Sequence, residues 1–225
     1  NAAIGSTTGG LTLTGGTGAS FDANGDLATD NFITVNAFAN DITMVDGSLF
    51  DAGSGLIDLN AAGNAAIAVL STSGNVNIDA TSGAISDVNA AALNVSGAAL
   101  TATAASGIDI NETNALSVTS ADTLNGNISL AASDITVIGA IDASGNAITL
   151  QADEMTIAST LTATDVSLLR NTSGVISLGT ADGVFGLNLD STELSNLTVT
   201  NPLQVGGANT SAITAEYRNP GAGGE

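Results

Sequence analysis

The chain has 225 residues, 44% of them hydrophobic and only 3% aromatic, and it carries 22 acidic residues against two basic ones. The net charge of −20 excludes nucleic acids as partners and disfavours anionic membrane surfaces, because both need cations to neutralise phosphate. Cysteine is absent, which excludes disulfides, and no apolar run approaches the roughly 18 residues that would span a bilayer. With so few aromatic residues, the predicted core is narrow and filled by small side chains.

Three-residue segments of the form apolar–polar–apolar recur along the whole chain. They are Leu11–Leu13, Ile33–Val35, Ile42–Met44, Ile57–Leu59, Val76–Ile78, Leu93–Val95, Ile108–Ile110, Leu116–Val118, Ile128–Leu130, Ile135–Val137, Ile141–Ala143, Ile148–Leu150, Met155–Ile157, Leu161–Ala163, Val166–Leu168, Ile176–Leu178, Leu187–Leu189, Leu197–Val199 and Leu203–Val205. Alternation with period two predicts short, half-buried strands, and no helical stripe competes with it.

Glycine-containing corners separate these strands. The corner glycines are Gly55, Gly74, Gly107, Gly126, Gly145 and Gly174, and three of the steps between them are nineteen residues long. These glycines are predicted to have positive φ, a backbone conformation that glycine adopts at no steric cost. A repeat of about 20 residues holding three strands and three corners predicts a solenoid.

The predicted fold is therefore all-β: a single-stranded, right-handed parallel β-helix with about 19–20 residues per coil and roughly 11 coils. Right-handedness is expected from the general preference for right-handed parallel crossovers. A disordered linker and a β-sandwich are the alternatives, but the regular β-branched segments and the short strands argue against them.

The two ends of the chain differ from its middle. Residues 1–215 are predicted to form the solenoid, and residues 1–55, which contain four of the five phenylalanines, are less regular, as a wider or cap-like section would be. Residues 216–225 carry proline and glycine without alternation, which predicts a tail or linker. Because the chain starts at Asn1 without a methionine, we expect it to be a piece of a longer polypeptide.

The stretches "NISLAASDITVIGAIDASG" and "GNAITLQADEMTIASTLTA" repeat one grammar between residues 127 and 164. In this repeat pattern, and more loosely from Leu11 to Val205, the chain resembles the filamentous-haemagglutinin-like surface proteins of Gram-negative bacteria, which use two-partner secretion. The resemblance implies a right-handed parallel β-helix, an extracellular or cell-surface location, and a role in adhesion or matrix. The chain departs from much of that family in having no lysine.

Calcium is the one cofactor that a local motif suggests. The loop "DANGDLATDN" offers Asp22, Asn24, Asp26 and Asp30, and oxygen ligands at such spacing suit a hard cation. The loop lacks the glycine usually found after the third ligand and an acid at the twelfth position, and the same residues also favour turns. No metal-binding residue is assigned.

Parallel β-helices also include polysaccharide lyases and hydrolases, which need an arginine or lysine base or paired carboxylates. Arg170 stands beside Asn171 in a predicted corner, and Asp109 and Asp142 take outward strand positions where acids could meet. Solvated acids on faces and turns explain the same residues. No catalytic residue is assigned, and the chain is predicted not to be an enzyme.

Ice binding requires an unbroken array of threonines on one flat face. Thr-x-Thr pairs begin at Thr12, Thr101, Thr162 and Thr198, and their separations of 89, 61 and 36 residues predict a broken array. An ice-binding solenoid is therefore the least favoured interpretation.

The favoured interpretation is a structural or adhesive extracellular β-solenoid, a segment of a bacterial surface fibre, matrix or adhesin protein. It would act by stiffness and by contacts with itself or with a surface. The open ends of a parallel stack predict end-to-end association or continuation into a longer chain. Surface carbohydrate and neighbours bridged by divalent cations are further expected partners. A carbohydrate-active β-helix enzyme is the alternative.

Overall fold

The computed structural model describes residues 4–89, 94–179 and 187–215, and nearly all regular structure in these ranges is β-strand. The first thirteen strands are β1 Ile4–Ser6, β2 Leu11–Gly15, β3 Ala19–Phe21, β4 Leu27–Thr29, β5 Ile33–Ala37, β6 Ile42–Met44, β7 Leu49–Asp51, β8 Ile57–Ala61, β9 Ala65–Ile67, β10 Val69–Ser71, β11 Val76–Ala80, β12 Ile85–Asp87 and β13 Val95–Ser96. The others are β14 Leu100–Ala104, β15 Ile108–Asn111, β16 Leu116–Thr123, β17 Ile128–Ala131, β18 Asp134–Val137, β19 Ile141–Gln151, β20 Glu154–Ile157, β21 Leu161–Leu169, β22 Gly174–Leu178, β23 Leu187–Leu189, β24 Leu197–Val199, β25 Gln204–Val205 and β26 Thr210–Ala215. The helix α1 spans Ser191–Ser195.

Most strands stack in parallel into three long ladders of a solenoid of about 8 turns. A shorter ladder joins β16, β18 and β20, and β22, β23 and β26 form a small separate sheet. The first ladder is β1, β4, β7, β10 and β13. The second is β2, β5, β8, β11, β14, β16, β19, β21 and β24. The third is β3, β6, β9, β12, β15, β17, β19, β21 and β25. The predicted all-β parallel solenoid is confirmed.

The predicted number of coils, roughly 11, is too high because the coils are not uniform in length. Ile33 pairs with Ile57, 24 residues further on, whereas Ile128 pairs with Ile148, 20 residues further on. Near the C-terminal end the chain makes a detour, and Leu161 pairs with the residue 36 positions later. Longer early coils and this detour together reduce the count to about 8.

Some predicted three-residue strands merge into longer ones that turn a corner of the coil. The segments Ile141–Ala143 and Ile148–Leu150 both belong to β19, which serves the second ladder with its first half and the third ladder with its second half. The register breaks between Ala143 and Ala147, where Gly145 has a φ of 84°. A left-handed residue bends the strand without ending it.

The core is a column of stacked aliphatic side chains. Ile33, Ile57, Val76 and Leu100 occupy equivalent places in successive coils, and each is completely buried. Aliphatic residues suit this column because each strand offers only two or three inward positions.

The phenylalanines near the N-terminus divide into two pairs. Phe21 and Phe50 fill the interior, with ring centroids 4.7 Å apart in an edge-to-face arrangement. Phe32 and Phe38 point outward instead, with 40% and 70% of their surface exposed. Core filling therefore explains only two of the four.

Close approach between coils, more than positive φ, explains the corner glycines. A Cβ on Gly74 would overlap the carbonyl of Gly55, and a Cβ on Gly126 would overlap the carbonyl of Ser106, one coil earlier. Of the six predicted corners, only Gly107 and Gly145 have positive φ, so the prediction based on φ is wrong for the others. At Gly55, Gly74 and Gly126 the spacing between coils leaves no room for a side chain, whereas at Gly174 the Arg170 guanidinium occupies the space.

The helix α1 is hydrogen-bonded to the backbone of the neighbouring strand β20. It starts with a capping box, in which the Asp190 carboxylate accepts from the Glu193 N–H and the Glu193 carboxylate accepts from the Asp190 N–H. The second Glu193 oxygen accepts from the Ile157 N–H at 3.0 Å, and the Asn196 amide donates to the Ile157 carbonyl at 2.7 Å. The helix thus supplies the hydrogen-bond partners of the Ile157 backbone at the end of β20, in place of a neighbouring strand.

The predicted tail, residues 216–225, lies outside the described residues, as does Leu93 of the predicted segment Leu93–Val95.

Candidate functional site

A continuous row of outward side chains runs along the second ladder, and we call it the polar row. Its members are Thr14, Asn36, Asn60, Asp79, Thr103, Asp122, Asp142, Thr162 and Thr198. Successive members are about 4.8 Å apart, the normal spacing of paired strands. Four threonines share this row, but amides and carboxylates separate most of them, so the threonine array is broken as predicted.

The third ladder carries a second outward row of side chains, which are polar except for Ala66. Its members are Ser20, Thr43, Ala66, Ser86, Asp109, Ser129, Thr149, Ser167 and Gln204. Both rows are regular because strand pairing keeps equivalent positions of successive coils in register.

Two carboxylates of the polar row lie side by side at the edge of a shallow hollow. Asp122 and Asp142 are direct partners on β16 and β19, and both line a surface hollow of about 270 Å³. The Ser120 hydroxyl donates to Asp122 at 2.8 Å, and the Ser144 hydroxyl donates to Asp142. Leu124, which is 80% exposed, forms part of the wall. Paired carboxylates in a hollow are the arrangement that glycoside hydrolysis uses.

The structure separates the two aspartates that the sequence placed together as candidates. Asp109 lies on the third ladder between Ser86 and Ser129, whereas Asp142 lies on the second ladder. The actual neighbour, Asp122, was not singled out from the sequence. A step of 20 residues between two outward aspartates was the signal that could have found it.

The predicted calcium loop forms turns and joins two coils. The Asp22 carboxylate accepts from the Asn24 N–H at 3.0 Å, and the Asp26 carboxylate accepts from the Leu49 N–H of the next coil at 3.0 Å. Asp30 lines a different surface hollow, beside Asp51. Over residues 4–89, 94–179 and 187–215 no three acidic side chains gather closely enough to hold a metal ion. Calcium binding by this loop stays a prediction.

Arg170 braces a corner near the C-terminal end. Its guanidinium is 7% exposed, lies 3.3 Å from the Asp153 carboxylate and donates to the carbonyls of Asp153, Thr172 and Val175. Its neighbour Asn171 also donates its side-chain amide to the backbone. These contacts assign both residues a structural role at the corner where the detour begins.

Glu112 closes the end of the first ladder. The last strand of that ladder is β13, and its Asn94 and Val95 N–H groups donate to the two Glu112 carboxylate oxygens at 2.9 and 2.5 Å. Burial raises the pKa of Glu112 to about 7, and the charge of Asp87 adds to this, although the two N–H groups oppose it. Burial also raises the pKa of Asp87.

This buried carboxylate should make stability depend on pH. The folded pKa lies above the ordinary value of 4.5, so the folded state holds the proton more tightly, and stability falls as the pH rises from about 4.5 through 7. We expect Glu112 to lower the free energy of unfolding by roughly 2–3 kcal/mol over that pH range. Urea unfolding of wild type and Glu112→Gln at several pH values measures it, since the variant should lack this component.

The exposed Glu154 supplies the matched control, because Glu154→Gln removes the same charge without touching a buried group. A difference between wild type and Glu112→Gln that stays constant from pH 4.5 to 8 would contradict the assignment.

Together, the stacked coils, the two polar rows and the acidic surface define an acidic parallel β-solenoid. No protein-family model, curated protein or solved structure matches the chain. In the part of the chain that the structure describes, no helix has the length and apolar character needed to cross a membrane.

Proposed function

We propose that the protein is a structural and adhesive extracellular β-solenoid, a segment of a bacterial surface fibre, matrix or adhesin protein. The observation that carries the proposal is the continuous parallel pairing of strands along the second ladder, from β2 to β24. Such a ladder makes a stiff body whose coils contact only their neighbours. Its outward side chains are short and polar, which suits hydration and broad surface contact. The repeat grammar shared with filamentous-haemagglutinin-like proteins supports the same function.

End-to-end contact is the mechanism that we propose for assembly. In the first coil that the structure describes, the Leu11 N–H donates to the Phe32 carbonyl of the second coil, so the N–H of Thr12 points away from the described coils. Ile4 of the same coil is 52% exposed. Free backbone groups on an edge strand accept another strand readily. The surface charge of −20 would keep the sides of such rods apart unless divalent cations bridge them.

Sedimentation and electron microscopy test this proposal with one variant. Thr12→Pro removes an N–H from the edge and none from the ladder to the second coil, so folding should persist. We expect the wild-type protein to form end-to-end species at high concentration and the variant to stay monomeric by analytical ultracentrifugation.

A rod of about 40 Å per molecule, the length of eight coils, should appear in solution scattering. Beads coated with the protein should adhere to bacterial or host cells more than beads coated with a globular acidic protein. A wild-type protein that stays monomeric and does not adhere would overturn the proposal.

A carbohydrate-active enzyme is the second candidate, and the pairing of Asp122 with Asp142 in the hollow favours it. Depolymerisation of a soluble polysaccharide that the double variant Asp122→Asn/Asp142→Asn abolishes would establish this activity. Equal product release by wild type and double variant would remove it.

A further inference from the structure

One strand near the N-terminus carries two outward aromatic rings that the fold does not need. Along β5 and its flanks, Phe32, Thr34, Asn36 and Phe38 all point outward, alternating with buried Ile33, Val35 and Ala37. A phenylalanine stabilises a fold mainly through the apolar surface that it buries. Phe32 and Phe38 are 40% and 70% exposed, so each contributes much less to stability than a buried phenylalanine would. Two exposed aromatic rings on one strand face offer a candidate contact surface, because aromatic side chains contribute strongly at interfaces.

The neighbouring coils leave room for these rings. Leu11 and Ile33 are ladder partners, which places Gly10 beside Phe32. A Cβ on Gly10 would overlap the Phe32 ring, so the ring lies across the glycine. On the other side of Phe32 lies Leu56, the equivalent residue of the third coil, which is 36% exposed. The Phe32 ring is thus held in place while one side remains open to solvent.

Phe38 stands between small residues at the other end of the strand. Gly15, Ala37 and Ala61 are ladder partners, so the residues that follow them, Gly16, Phe38 and Ala62, occupy equivalent places. Neither neighbour has a side chain large enough to cover the ring. At about 3.3 Å per residue, the two rings are roughly 20 Å apart along the strand.

The surface between the rings is polar and fixed in place. The Asn60 amide donates to the Asn36 side-chain oxygen at 3.2 Å and to the Asp58 carboxylate at 3.0 Å. Thr12 and Thr34 add hydroxyls in the adjoining row. Amide, carboxylate and hydroxyl groups together offer donors and acceptors for hydroxyl-rich ligands. A protein partner would instead favour a contiguous apolar patch, which polar side chains interrupt here.

We propose that this face of the first three coils, between Phe32 and Phe38, binds an extended, uncharged polysaccharide. Aromatic rings stack on the apolar faces of sugar rings, and the planar amides between them pair with sugar hydroxyls. A flat strand face matches a ribbon-like β-1,4-linked chain better than a coiled α-linked one. The net charge of −20 and Asp58 on the face itself disfavour acidic polysaccharides. The inference rests on the proposed adhesive function and deepens it by naming what the surface adheres to.

Binding to purified polysaccharides tests the inference directly. Microcrystalline cellulose and chitin serve as extended neutral probes, amylose as a coiled neutral probe, and polygalacturonate as an acidic one. We expect depletion assays to show binding to cellulose or chitin and little binding to the other two. Phe32→Ala and Phe38→Ala should each weaken it roughly five- to tenfold.

Two further variants sharpen the result. Gly10→Ala should displace the Phe32 ring and weaken binding with both aromatic residues still present. Ile138→Ala removes an apolar side chain that is 53% exposed, far along the stack and outside both candidate sites, and should change binding less than about twofold. Circular dichroism checks that each variant keeps the β-type spectrum.

Three outcomes would overturn the inference: no binding to cellulose or chitin, equal binding by wild type and the double variant Phe32→Ala/Phe38→Ala, or preference for polygalacturonate. A double variant that loses self-association without any sugar present would instead assign the rings to contact with a second copy. The Thr12→Pro experiment has a separate readout. The proposed fibre function can therefore survive the loss of this site, and the site can survive the loss of end-to-end assembly.

Discussion

A Gly126→Ala variant should lose roughly 3 kcal/mol of unfolding free energy, although it adds only one methyl group. The reason is the vertical spacing of the coils, because the new Cβ would overlap the backbone carbonyl of Ser106 in the coil before. Backbone on both sides of the contact is held by ladder hydrogen bonds, so neither coil can move away without losing some of them. Urea unfolding followed by circular dichroism measures the loss.

Two other glycines provide controls that separate crowding from conformation. A methyl group added to Gly16 would meet no atom within 4 Å, and this residue has an ordinary φ, so Gly16→Ala should be neutral or slightly stabilising. Gly145 also has open space but a φ of 84°, so Gly145→Ala should cost about 1–2 kcal/mol from backbone strain alone. A Gly126→Ala variant as stable as Gly16→Ala would contradict the close stacking of the coils.

Phe50→Ala should destabilise the protein by about 3–5 kcal/mol, the usual cost of removing a fully buried aromatic ring. Phe50 is completely buried and packs edge-to-face on Phe21, which is 8% exposed. The cavity cannot collapse easily, because the ladders hold the coil walls at fixed spacing. Thermal and urea unfolding should both report the change.

Phe38→Ala is the matched control, since it removes the same side chain from a 70% exposed position of a neighbouring coil. Its expected effect is within about 0.5 kcal/mol. Equal losses for Phe38→Ala and Phe50→Ala would mean that the interior of the first coils is not packed as described.

The sequence predicts the fold well where equivalent strand residues recur at a constant spacing from one coil to the next. Ile128 and Ile148 are twenty residues apart and pair directly, as the repeat requires. A period of two places every second side chain inside, and the ladder then keeps equivalent residues stacked. Coil number was harder to predict, because a corner can absorb several extra residues without disturbing the strands on either side.

The candidate sites could not be read from the sequence as readily. Asp122 and Asp142 meet only because their strands are in register, and a change of one coil length would separate them. Glu112 looks like any polar residue in the sequence, and its burial follows from the end of a ladder at β13. The sequence did hold one overlooked local signal, the capping-box spacing from Asp190 to Glu193 that starts α1.

The detour between Leu161 and Leu197 has a practical consequence for engineering. Between these paired strands the chain forms β22, β23 and α1, and Ile176, Leu187 and Leu189 join the buried core. Leu161, Thr162 and Ala163 then pair in order with Leu197, Thr198 and Val199. The stack thus tolerates a guest segment of substantial length at a corner without loss of alignment. A foreign peptide or small domain grafted at this corner would be displayed at a fixed height along the rod, so the protein offers a scaffold for spacing molecules at multiples of the coil repeat.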